Sequence, residues 1–195
     1  MNQGERRFMR ATDDRYRSEQ GRFDLAIRMI GHEARTGTIR YWTGLSDDRI
    51  RKLYAAYFKF TPDGVKRRRG KSPTQITPLV DSPLRTLESG VLANLLHGGG
   101  LFSAQPDAGP RLRNNIQLGH RFCDCYETYR SVVSAPSLSF EWGWNLLTNI
   151  RRGEELGVTR CRLCNSMYLQ DLLCLPAPDC PVCRSVAVSS PSQLN

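Results

Sequence analysis

Apolar residues in the first third of the chain recur at intervals of three and four. Phe23, Ala26, Ile27 and Ile30 lay one apolar face along a helix over residues 18–30. A second short helix is expected over 33–41, ended by Trp42-Thr43-Gly44-Leu45. Ser46 stands where it can cap a third helix, whose Ile50, Leu53, Tyr54 and Tyr57 follow the i, i+3, i+4, i+7 pattern. The opposite face of that helix carries Asp48, Arg51, Lys52 and Lys59. Helix, glycine-containing turn and capped helix with a basic outer face is the layout of a helix-turn-helix, whose second helix enters the major groove. A plain three-helix bundle with solvated charges has the same pattern.

The periodicity continues with helices over 84–96 (Leu84, Leu87, Val91, Leu95), 112–133 (Ile116, Phe122, Tyr126, Tyr129, Val133) and 139–152 (Phe140, Trp144, Leu147). His97-Gly98-Gly99-Gly100 and residues 105–110 punctuate them. After Gly153 only short runs remain, Val158 and Met167-Tyr168-Leu169, which read as strands. The expected fold is mostly α: an N-terminal helical bundle with a helix-turn-helix-like unit, then a small C-terminal zinc ribbon or knuckle with short strands. The chain divides into a basic helical region (1–72), a helical core and partner-binding region (73–153), a four-cysteine module (154–188) and a flexible tail (189–195).

Charge sharpens this division. The 195 residues carry a net charge of +9, with 39% hydrophobic and 24% charged residues, within the globular range. Residues 1–72 hold 18 Lys+Arg against 9 Asp+Glu, and residues 73–195 hold 10 of each, so the whole excess lies in the first third. Only four of the basic residues are lysine, and the forked guanidinium suits phosphate and guanine. Such a concentration is the footprint of a nucleic-acid binder, although an acidic protein or an anionic membrane surface would also suit it. The run Lys66-Arg67-Arg68-Arg69-Gly70-Lys71 reads as a mobile basic arm. It is not a P-loop, because Val65 stands where the first glycine is required and no buried strand precedes it. No stretch approaches a membrane span, and the opening residues have no apolar signal region, so a cytoplasmic protein is expected.

Seven cysteines without an export signal point to metal before disulfides. Cys161-Arg162-Leu163-Cys164 and Cys180-Pro181-Val182-Cys183 form two C-x2-C pairs separated by fifteen residues, the spacing of a tetrahedral four-sulfur site. A closed shell leaves no position for water, so one structural Zn2+ per chain is expected, with Cys161, Cys164, Cys180 and Cys183 as ligands. Two redox pairs or plain buried cysteines are the competing readings. Cys174, within Leu172-Leu173-Cys174-Leu175, reads as part of a small buried strand, and Cys123 and Cys125 as packing residues. His32, His97 and His120 lack any catalytic motif and no serine lies in G-x-S-x-G, so no enzyme is expected.

Two stretches carry a family resemblance. Thr43-Gly44-Leu45-Ser46 through Arg49-Ile50-Arg51-Lys52-Leu53-Tyr54 is similar to the N-terminal segment of FlhC, a subunit of the flagellar master transcription activator. Phe140-Glu141-Trp142-Gly143-Trp144-Asn145-Leu146-Leu147, followed by the two cysteine pairs, resembles that family's last helix and zinc site in the same order. The resemblance implies a zinc-containing subunit that binds double-stranded DNA. It would act with an FlhD-like small helical subunit in a hetero-oligomer and recruit RNA polymerase to flagellar or conjugative-transfer operons. The basic residues themselves suit a transcription activator in which Arg51 and Lys52 reach the groove and Arg67, Arg68, Arg69 and Lys71 lie on backbone phosphates, with Arg49 and Lys66 as further DNA-binding candidates. The alternative is a zinc-ribbon RNA-binding or scaffold protein using the same basic arm.

Overall fold

Short polar side chains open four of the helices in the computed structural model, which describes residues 11–60, 64–103 and 109–189. Ser46 accepts from the Arg49 N–H at the start of α3 (Asp47–Tyr57), as its position in the sequence predicts. Ser82, Asn115 and Ser139 do the same for α5 (Pro83–Gly98), α6 (Ile116–Val132) and α7 (Phe140–Arg152). The second helix, α2 (Thr36–Thr43), follows Arg35, which offers no side-chain cap. Its cap comes from a distant residue: the buried Glu141 carboxylate on α7 accepts from the Arg35 N–H at 2.7 Å and from the Thr38 hydroxyl at 3.1 Å. A buried carboxylate is tolerable there because hydrogen bonds meet both oxygens at the positive end of a helix.

The first helix, α1 (Ala11–Gly31), begins well before the expected residue 18 and packs on α2, α3 and α6. At Gly44 the backbone turns left-handed (φ 69°), ending α2 and leading into α3. One continuous core draws Leu25 and Met29 from α1, Ile39 and Trp42 from α2, Leu92 and Leu96 from α5, Phe122 and Tyr129 from α6, and Phe140, Leu146 and Leu147 from α7. The expected boundary at 72/73 therefore does not divide the packing. Leu156 and Leu169 from the C-terminal strands join the same core.

Several expected elements shift. A short helix, α4 (Thr77–Val80), and a terminal one, α8 (Pro181–Ser189), were not legible in the periodicity. Strands β1 (Leu156–Arg160) and β2 (Met167–Asp171) pair antiparallel, Leu156 opposite Asp171 and Arg160 opposite Met167. The expected buried strand over 172–175 is instead an exposed turn, with Leu175 94% accessible. On α5 the face marked by Leu84 and Leu87 is exposed; the helix buries Ser89, Leu92, Ala93 and Leu96. Tyr57, assigned to the inner face of α3, is also exposed. The tail over 190–195 and the segment 104–108 lie outside the described residues.

An ion-pair cluster joins α1 to α6. Arg28 Nη2 lies 2.7 Å from Glu127 Oε2 and 2.5 Å from Asp124 Oδ1, and His32 Nε2 lies 2.7 Å from Glu127 Oε1. The hydrogen bond from Arg28 draws the Glu127 carboxyl down to about 2, against an ordinary value of 4.5. Because the folded-state value is depressed, the stabilisation is full above about pH 4.5 and is lost as pH falls toward 2. Both side chains are partly solvated, so Glu127→Gln is expected to cost about 1 kcal/mol at neutral pH and progressively less as pH falls through 2. Urea denaturation of both proteins across that range checks it.

Candidate metal centre and cationic face

The C-terminal hairpin brings the first cysteine pair into place. Cys161 directly follows β1, where its N–H donates to the Ser166 carbonyl at 3.0 Å, and the chain reverses through Asn165 in the left-handed region (φ 57°). The Asn165 N–H closes the turn on the Cys161 carbonyl at 2.9 Å, leaving Cys164 on its rim. The second pair opens α8: Cys180 precedes its first residue and Cys183 sits in its first turn. The Arg162 N–H to Pro178 carbonyl bond, 3.2 Å, ties the two halves together, and Tyr168 packs with Cys161 and Cys180 in a small separate core.

All four Sγ atoms lie within 4.8 Å of one another, and Cys164 and Cys180 are 3.8 Å apart. A tetrahedral four-thiolate shell with bonds near 2.3 Å requires sulfurs about 3.8 Å apart, so the spacing fits one ion. Backbone amides prepare the sulfurs. The Cys180 N–H donates to Cys161 Sγ at 3.3 Å, which, with the amides of Cys164 and Leu163, draws the Cys161 thiol down to about 6. Hydrogen bonds from Ser166 draw Cys164 down as well. Cys183 is pushed up to about 12 by proton sharing with Cys164 and then Cys180. Four sulfurs this close cannot all ionise unless a cation neutralises them.

The remaining cysteines stand apart from this group. Cys123 and Cys125 are buried, and burial pushes their thiols up to about 12 and about 11, as expected of packing residues. Cys174 is exposed in the turn after β2, 3.4 Å from Asp171, and supplies no fifth sulfur.

The sequence-predicted cations fall into two groups. On α3, Arg49 reaches Glu19 at 2.6 Å and lies over the Phe23 ring, and Arg51 pairs with Asp48, while Lys52 is exposed without an ion pair among the described residues. Residues 64–72 form no regular element, yet they are not the mobile arm the sequence predicts. Tyr54 donates to the Val65 carbonyl at 3.0 Å, Glu33 accepts from the Lys66 N–H at 3.1 Å and pairs with Arg68 at 2.7 Å, and Arg35 donates to the Lys71 carbonyl. Burial raises the Glu33 carboxyl, but the bonds from Lys66 and Arg68 outweigh it and hold the group below its ordinary range. The segment is a strap laid from α3 across the start of α2. Its Lys66, Arg69 and Lys71 side chains stay exposed and unpaired among the described residues, whereas Arg67 is half-buried with its Nε unpartnered. The tethers Glu33 and Tyr54 carried no sequence signal, because each is distant from the run it holds.

A further feature escaped the sequence reading. A cleft of about 680 Å3 runs between α5 and the cysteine module, lined by Leu87, Val91, Leu95, Met167 and Val182. Among the described residues no helix is long and apolar enough to cross a membrane. Compared with known families and with curated proteins, the chain matches no family model and no curated sequence.

Proposed function

We propose that this protein is a DNA-binding subunit of a transcription activator, with α3 presented to the major groove and the 64–72 strap on backbone phosphates. The observation that carries this reading is uncompensated charge on a capped helix pair. Residues 35–71 hold eleven Lys+Arg against three Asp+Glu, and Lys52, Lys66, Arg69 and Lys71 point no charge at an internal acid among the described residues. Arg49, Arg51 and Arg68 would exchange intramolecular carboxylates for DNA, so they contribute less than the free cations.

In this reading the bound ion is Zn2+, one per chain, which accepts a closed four-thiolate shell and serves folding rather than catalysis. The apolar cleft and the exposed Leu84 and Leu87 on α5 support a docking face for a helix of a small FlhD-like subunit. Recruitment of RNA polymerase to flagellar or conjugative-transfer promoters rests on the resemblance to FlhC.

Occupancy mapping of the tagged protein in its host, beside binding titrations on duplex DNA and RNA, tests the proposal. Discrete peaks upstream of flagellar or conjugation operons and a preference for duplex DNA are expected. Diffuse occupancy with equal affinity for RNA would overturn it in favour of an RNA-binding or scaffold role.

A further inference from the structure

Two arginines outside the basic third of the chain stand free beside the α2–α3 turn. Asn114 donates its N–H to the Tyr41 carbonyl at 3.0 Å, and its Oδ1 lies 3.0 Å from where a β-carbon at Gly44 would stand. These contacts hold residues 111–115 against the end of α2 and the turn into α3. Leu112 is buried, anchoring the segment from within, while Arg111 and Arg113 on either side of it are exposed. They line a shallow cleft of about 420 Å3 with Gln117. Neither has an ion pair among the described residues, and the sequence has no acidic residue between Asp107 and Asp124.

The strap lies at the opposite end of the same helices. Its tethers are Tyr54 near the end of α3, Glu33 and Arg35 before α2, and Thr38 in the first turn of α2, whose hydroxyl is 3.1 Å from Ser72. Strap and cluster lie at opposite ends of α2, whose eight residues span about 12 Å at 1.5 Å per residue. That is about the width of the major groove of B-DNA.

We infer that Arg111 and Arg113 form a second phosphate-binding cluster, so that strap and cluster grip the two backbones flanking the groove that α3 enters. The inference rests on the DNA-binding reading above. It adds two contacts that the basic third of the sequence does not contain, made by forked guanidiniums suited to phosphate oxygens.

The test is a salt titration of the full chain on a mixed-sequence duplex, comparing wild type with the double variant Arg111→Gln, Arg113→Gln. Losing two contacts should lower the slope of log affinity against log salt by about 1.8, making the affinity lost between 50 and 200 mM salt about twelve-fold smaller. The thermal midpoint should not move, since both side chains are exposed. A charge-matched control, Arg152→Gln with Arg160→Gln, should leave the slope near wild type. An equal drop in the control means that net charge alone acts, and overturns the inference. So does an unchanged slope in the double variant when Lys66→Gln, Arg69→Gln, Lys71→Gln flattens it. A wild-type protein that binds no duplex removes the DNA-binding reading itself, and this inference with it.

Discussion

Replacing Cys161 with serine is expected to abolish metal binding and unfold the two cysteine turns and α8 while leaving the helical core and the β-strands packed on it intact. Cys161 is the buried corner of the site: its Sγ accepts the Cys180 N–H that docks the second pair, and its backbone closes the first turn. A serine oxygen is a poor donor for an ion held by three thiolates, and for a structural site the binding energy is folding energy. The hairpin is also held by Leu156 and Leu169 in the large core, but the two cysteine turns have only Cys161, Tyr168 and Cys180 with Cys183 against them. Helical circular dichroism should fall only by the share of α8, because the large core is built on α1 to α7. Metal release on thiol blocking should drop from about one ion per chain to near none. Trypsin should then cut after Arg160, Arg162 and Arg184. Full metal content with protease resistance would mean that the ligands are wrongly assigned. Reactive thiols in a metal-free, folded wild type would instead favour the redox reading of the pairs.

Trp42→Ala should destabilise the whole helical body by about 3–5 kcal/mol, through lost transfer energy and the cavity left behind. Trp42 is fully buried at the end of α2, stacked on Phe122 with centroids 5.8 Å apart and set edge-on against Trp144 at 5.4 Å. Tyr41 packs on both indoles. The side chain thus joins α2 to α6 and α7, the packing that holds α3 and the strap in position. Among the described residues its Nε1 has no hydrogen-bond partner, so Trp42→Phe forfeits no polar contact and should cost well under half as much. Urea midpoints of the three proteins measure this; equal losses for Ala and Phe would show that the indole makes a bond the packing does not reveal.

Much of this architecture could be read along the chain. The i, i+3, i+4 spacing located α1, α3, α6 and α7 because each buries one stripe, and Ser46 marked the start of α3 because its hydroxyl competes well for a free N–H. The four clustered cysteines were legible for a local reason: each two-residue spacer already brings two sulfurs together, and only the closing of the hairpin was left to the fold. The face of α5 departs from the expected stripe at its first half, where Leu84 and Leu87 are exposed, while Val91 and Leu95 are partly buried. Periodicity reports which residues are apolar, not which of two stripes meets a neighbour, and the packing against β2 and α6 selected Leu92 and Leu96 over Leu84 and Leu87.

The sequence by itself determined the helical periods, the capped turn into α3, the cysteine quartet and the concentration of positive charge, since each depends on residues close together in the chain. Only the tertiary structure decided that the basic run is tethered through Glu33 and Tyr54, that Glu141 caps a helix 106 residues away, and that Arg111 and Arg113 stand beside the α2–α3 turn. Those relations join groups whose chain separation is large, and their geometry is set by how the buried faces of separate helices fit, which no local pattern encodes.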